Sequence, residues 1–237
     1  MLAEPVTTVF LLSPAYCGGR RASFLLREGS TLLLAAQLEA GSLTLGDAFS
    51  FMSGLYFRGK LGYARAFGRH QPPALVITPT RGLLPPETPV SAALLREFAT
   101  IDVDADDERY RKPMVRSLEQ LTQTLPSDAR VVLLGSIATG KYVDVLTTAL
   151  GDRLHFPIDF VGRGDMSRGG LMLRCVAAGV ELPYATLGPH VCRHGARPPK
   201  LTPMQTAPRA SRPEAPPVLS HERSRITRSK PKGAFGA

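Results

Sequence analysis

A chain of 237 residues with 43% hydrophobic content can bury a substantial core and fits one domain carrying an appendage. Its formal charge of +9 suggests a polyanionic partner, yet residues 193–237 hold ten Lys or Arg against two acidic residues, a net +8, leaving the first 192 residues with 19 basic and 18 acidic groups. The basic character therefore excludes nothing and proves nothing about the folded part, while three cysteines without a CxxC pair exclude a disulfide framework and a zinc-finger spacing.

The same cysteine usage implies a reducing compartment. No apolar run reaches the roughly 18 residues of a membrane span, and no basic, apolar and small-residue leader opens the chain. A soluble cytoplasmic protein with no membrane partner and no metal site is expected.

In chain order, Val6 to Ser13 is an apolar, β-branched run ended by Pro14, which reads as the central strand of a parallel sheet. The turn AYCGGRR follows, with Gly18 and Gly19 giving backbone freedom and Arg20 and Arg21 placed where an anion would approach. Ser23 to Leu38 has leucines at helical spacing, broken at Gly29 and Ser30. Phe49 to Phe67 carries an apolar stripe of helical period, interrupted at Gly54 or Gly59, with Arg58 and Lys60 flanking Gly59 as candidate anion contacts and Arg65 read as an exposed charge. Ala74 to Thr78 predicts a second strand, and the Pro- and Gly-rich TPTRGLLPPETPV an irregular loop holding Arg81. A helix capped by Ser91 runs through Phe98.

The run IDVDADDERYRKPM lacks the glycine and final glutamate of a calcium loop and predicts a solvated acidic loop. Val115 to Leu125 is an amphipathic helix ended by Pro126. Val131 to Arg174 then reads as strand, glycine turn, helix, strand, Gly- and Arg-rich loop, helix, and Glu181 to Leu187 as an edge strand because of Pro183. After Cys192 eight prolines and few large apolar residues predict disorder.

Three loops compete as sites. Gly135 to Lys141, GSIATGK, matches the phosphate-loop pattern GxxxxGK, in which Gly135, Gly140 and Lys141 would hold a nucleotide phosphate, but Tyr142 stands where a magnesium-ligating Ser or Thr belongs. Phe160 to Gly170, FVGRGDMSRGG, gathers Gly162, Arg163, Gly164 and Arg168 before a helix, a combination suited to an anion. For catalysis, Cys17 is the thiol at the end of the first strand, where Arg20 and Arg21 would favour the thiolate. Asp159 and Asp165 are the carboxylates positioned to direct water or stabilise a cation.

With these pieces in order, LLSPA, YFRGKLGYARAF, a strand followed by RGLLPP, and YRKPM resemble the succession of motifs in peroxide-stress YaaA-like proteins, and are similar to a glycosylase-like α/β domain associated with tRNA-base modification. The likeness spans Val6 to Arg174, with Tyr16 and Cys17 where that family has a lysine and Arg81 where it has an aromatic residue. The resemblance implies a parallel-sheet α/β fold and a nucleic-acid or nucleobase ligand, and it adds Arg81, Tyr110 and Arg111 to the candidate site.

The expected architecture is a three-layer, Rossmann-like α/β domain with a mostly parallel sheet over residues 1–192, followed by a disordered basic tail over 193–237. The leading functional reading is a nucleic-acid-binding protein acting on a nucleobase or nucleotide, with Tyr56 and Tyr110 stacking a base. The alternatives are a nucleotide- or phosphometabolite-binding enzyme built on Gly135 to Lys141, and a non-catalytic scaffold that recruits partners through its tail.

Overall fold

The computed structural model describes residues 6–138, 140–188, 191, 193, 195–199 and 201. The disordered tail expected over 193–237 therefore lies largely outside the described residues. The compact unit that holds the sheet extends to Leu201.

Among the described residues six strands make one sheet. β1 (Thr8–Leu12), β2 (Ala74–Ile77), β4 (Arg130–Leu134) and β5 (Leu154–Pro157) are parallel, β3 (Leu83–Leu84) and β6 (Tyr184–Thr186) are antiparallel edges, and the order is β3-β2-β1-β4-β5-β6. β1 is central because TVFLL is buried at every position, which a strand reaches only when protein covers both faces. Its side chains alternate accordingly. Phe10 and Leu12 enter one apolar cluster, and Val9 and Leu11 enter the other.

The first cluster is closed by α1 (Arg20–Leu26), α2 (Leu33–Glu39), α3 (Leu45–Ser53), α4 (Leu55–Phe67), α5 (Ala92–Ala99) and α8 (Asp165–Ala178). The second is closed by α6 (Glu108–Thr124) and α7 (Gly140–Leu150). Helices on both faces of a mostly parallel sheet give the three layers that the alternation of strand and helix patterns predicts. Among the described residues no helix is long and apolar enough to cross a membrane.

Several boundaries follow from local chemistry. The Thr44 hydroxyl accepts from the Asp47 amide and donates to its carboxylate, starting α3, and the Ser91 hydroxyl accepts from the Leu94 amide, starting α5. Gly54, at φ +63°, separates α3 from α4, so the interruption expected in the Phe49–Phe67 stripe falls at Gly54 while Gly59 lies inside a continuous helix.

Two expectations change. The loop after β2 is not wholly irregular, because Leu83 and Leu84 pair antiparallel with Ile77 and Val76. The acidic run gives way to helix at Glu108, seven residues before the expected start, because Asp107 accepts from the Arg109 amide as a cap and Tyr110 and Met114 extend the buried stripe of Leu118 and Leu121. Pro113 lies inside this helix and forfeits one backbone bond there.

Candidate functional site

The strand order places a topological switch between β1 and β4: the chain leaves β1 to one side and returns to place β4 on the other. In open α/β sheets the crevice beyond the carboxyl ends of such a strand pair is where ligands bind. A cleft of about 690 Å³ lies there. It is bounded by Ser13 to Cys17 and Gly19 to Ala22 after β1, Pro79 after β2, Ser136, Lys141 and Tyr142 after β4, and Asp165 at the start of α8. Met52, Ser53, Tyr56, Phe98 and Ile101 to Val103 complete its walls.

Strand-end loops thus converge on one cavity of mixed character. Arg20, Arg21 and Lys141 are exposed cations at its edge, and Asp102 and Asp165 are its carboxylates. Among the described residues none of those three cations has a carboxylate partner within ion-pair distance; Arg21 donates to the Phe51 carbonyl at 3.2 Å and Arg20 lies over the Phe24 ring. Tyr16 stands at the mouth with 70% of its surface exposed, its ring over Gly18, where any β-carbon would strike the phenol.

Beneath the cleft lies a buried polar group. Lys60 of α4 is fully buried, and its Nζ donates to the Ser13 carbonyl at 2.6 Å and to Ser13 Oγ at 2.9 Å. The ammonium also sits 4.3 Å from the Tyr56 ring centre and 4.9 Å from that of Phe57. Burial pulls the Lys60 amine down to about 7, against the upward pull of Asp165 and with a further downward push from Arg168. The Tyr56 hydroxyl is buried without a hydrogen-bond partner, and burial raises its ionisation above the ordinary phenol range.

This group exists because α4 and α8 touch backbone to backbone. A β-carbon on Gly59 would lie 2.7 Å from the Gly169 carbonyl oxygen, and one on Gly169 would lie 2.7 Å from the Leu55 carbonyl oxygen. The crossing brings Tyr56 and Lys60 beside Arg168. Both Nε and Nη2 of that arginine donate to the Phe160 carbonyl, at 3.1 and 3.0 Å, and Nη1 reaches Asp165 at 3.5 Å.

The residues singled out from sequence are distributed unevenly around this geometry. Arg20, Arg21, Cys17, Asp165 and Lys141 line the cleft. Lys60 does not line it as a surface cation, because its stem runs through the core and its head is tied to Ser13 below the floor. Arg168 is likewise not a free anion clamp: it is 8% exposed and closes the turn after β5. Arg163 and Gly164 line a separate hollow with Met166, Ser167 and Arg197, where Arg163 donates to Ser167 at 3.3 Å, and Gly162 packs against the Ala196 carbonyl.

Tyr110 cannot stack a ligand, since it is fully buried on the opposite sheet face as part of the α6 stripe. Arg111 is on the exposed side of α6, paired with Glu108, Arg81 is paired with Glu97 at 2.7 Å, and Arg58 is exposed on α4 away from the cleft. Asp159 lies in the 3-10 turn Ile158–Phe160 and does not border the cleft. In the Gly135–Lys141 loop the Tyr142 hydroxyl donates to the Ser136 carbonyl at 2.9 Å and packs over Gly135, so a buried phenol braces the loop where a metal-ligating hydroxyl would stand. Among the described residues no cluster suited to a metal ion is present.

Cys17 borders the cleft but is buried, with its Sγ directed at the Ala15 carbonyl, and burial pushes its thiol up to about 12. Loss of hydration outweighs any benefit from the neighbouring arginines, contrary to the activated thiolate expected from sequence. Iodoacetamide at about pH 7.5 is therefore expected to leave Cys17 unmodified in the native protein, as read by peptide mass mapping. Alkylation at the rate of a free thiol would show that the site stabilises the anion.

Sequence reasoning passed over Ser13, Tyr16 and the Lys60 contact. Tyr16 was legible as an aromatic in a glycine turn at a strand end, whereas the Ser13–Lys60 pair joins residues 47 positions apart and left no local signal. No family model, curated protein or solved structure matches the chain.

Proposed function

We propose that the protein binds nucleic acid by admitting one nucleotide unit to the cleft at the ends of β1 and β4, with Tyr16 stacking on the base and Arg20, Arg21 and Lys141 meeting the flanking phosphates. The observation that carries this reading is the joining of an exposed aromatic ring and three cations, none paired with a carboxylate among the described residues, at one cavity rim. A ring offers stacking energy to any base, and guanidinium groups hold phosphate oxygens in a fixed fork. The apolar walls at Met52 and Phe98 suit a planar heterocycle, and the order of motifs resembling base-modification domains points the same way.

The basic residues over 193–237 add attraction that depends on salt and ignores sequence. The test must therefore separate cleft from tail within the full chain. Binding of labelled single-stranded DNA and RNA is measured by anisotropy over a salt series. Tyr16→Ala is expected to weaken binding by about 1–3 kcal/mol for every sequence. Arg21→Ala is expected to weaken it and to reduce the salt slope by about one phosphate contact. Affinities unchanged by both substitutions at low salt would remove the cleft from nucleic-acid binding.

A further inference from the structure

We propose that Ser13 and Lys60 form a nucleophile and general-base pair on the cleft floor, giving this site an acyl-transfer activity toward esters whose alcohol or acyl part carries an anionic group. This activity shares the cleft with the proposed nucleotide binding, and it does not require that the ligand be a nucleic acid.

Serine is a poor nucleophile until a base within hydrogen-bond reach takes its proton, and a neutral lysine serves that role in serine–lysine enzymes. Ser13 is the first residue beyond β1, keeps 7% of its surface exposed and borders the cavity, which puts it within reach of an electrophile bound there. Lys60 lies underneath with Nζ 2.9 Å from that oxygen and is sealed from bulk water. The contact to the Ser13 carbonyl at 2.6 Å fixes the amine while its protonation changes. As an ammonium, Lys60 donates to both oxygens. As an amine it keeps one N–H on the carbonyl and turns its lone pair toward the Ser13 hydroxyl proton, with no movement of heavy atoms.

Burial makes the neutral form accessible near pH 7. The groups facing the pair are Tyr56 and Phe57 from the helix of Lys60, Asp165 and Arg168 from α8, and Tyr142 of α7, whose hydroxyl meets the Ser13 side chain. The aromatic faces and Asp165 favour the proton, whereas Arg168 and burial oppose it. The Cys17 thiol, also at the cleft, is turned to the Ala15 carbonyl.

The reaction balances without a co-reactant other than water. Ser13 Oγ forms a bond to the carbonyl carbon as its proton passes to Lys60 Nζ. Collapse of the tetrahedral species breaks the bond to the alkoxy group, which leaves with the proton returned by Lys60. Water then attacks the acyl-serine, giving a proton to Lys60 that passes to Oγ as the carboxylic acid departs. Arg20, Arg21 and Lys141 supply the anion preference of the substrate class.

The test uses the full chain and an uncharged alkyl fluorophosphonate, which forms an Oγ–P bond with an activated serine and expels fluoride. One adduct is expected, mapped to Ser13 by tandem mass spectrometry, with a rate that rises through about pH 7 as Lys60 loses its proton and then levels. Ser13→Ala should form no adduct, and Lys60→Met should react at least about 100-fold more slowly, the usual worth of a positioned base. Absence of a Ser13 adduct after prolonged exposure at pH 8, or an undiminished rate in Lys60→Met, would overturn the proposal. If Lys60→Met fails to fold by circular dichroism, the wild-type profile decides: a rate with no inflection between pH 6 and 8 overturns it. The probe carries no anion, so its outcome is separate from that of oligonucleotide binding.

Discussion

Gly59→Ala and Gly169→Ala are each expected to destabilise the protein by about 2–3 kcal/mol and to weaken ligand binding in the cleft, although both glycines sit in helices where alanine is intrinsically favoured by about 1 kcal/mol. The opposing cost is steric. A Gly59 β-carbon would lie 2.7 Å from the Gly169 carbonyl oxygen and 2.9 Å from its Cα, and a Gly169 β-carbon would lie 2.9 Å from Tyr56 Cα. These obstacles are backbone atoms of the facing helix, so no side-chain rotation relieves them, and α4 and α8 must move apart. Separation carries Tyr56 and Lys60 away from Arg168 and Asp165, so stability and the cleft fail together. Gly62→Ala is the control: it lies in the same helix, meets only Leu173 Cδ2 at 3.8 Å, and should be neutral or stabilising. Urea unfolding of the three variants decides the matter, and equal behaviour of Gly59→Ala and Gly62→Ala would refute the close crossing.

That crossing also shows how far the sequence could be read. β1 was legible because VTTVFLLS is apolar without alternation and ends at a proline, which marks a strand buried on both faces. The edge position of β6 followed from Pro183, and the break at Gly29, with a second at Gly54 or Gly59, from glycine in an otherwise helical stripe; the structure places the second at Gly54. The acidic run misled because its charges conceal the start of α6. Tyr110, Met114, Leu118 and Leu121 are nonetheless spaced by four, four and three, and that apolar period outweighs one proline.

The site was less legible than the fold. Local pattern marks loops that follow strands, and it drew attention to Arg20, Arg21 and Lys141, which line the cleft. It cannot tell a cation facing solvent from one drawn into the core, since that depends on which distant groups wait for it. Lys60 and Arg168 both looked like anion contacts, yet each is held by a backbone carbonyl, of Ser13 and of Phe160. Conversely, Tyr110 looked available in a supposed loop and is locked in the core by the helix that replaced it.

Lys60 supplies the other large effect, a stability profile that changes slope with pH. Its native amine titrates near 7, whereas an unfolded chain returns it to the ordinary lysine range near 10.4. Between those values the unfolded state binds a proton that the native state lacks, so this residue makes stability rise with pH. Well below pH 7 both states are protonated and the burial penalty is felt in full. Above the unfolded value both are neutral and the penalty is gone. Methionine at position 60 fills similar space without a charge, so Lys60→Met should compare most favourably with wild type at pH 6 and lose ground steadily as the pH approaches 10. The change in their stability difference over that interval is expected to be on the order of a few kcal/mol. Other titrating groups, including the buried tyrosines, are common to both proteins and largely cancel in the difference. Urea unfolding of each at pH 6, 8 and 9.5 measures it, and parallel profiles would mean that Lys60 keeps its proton throughout.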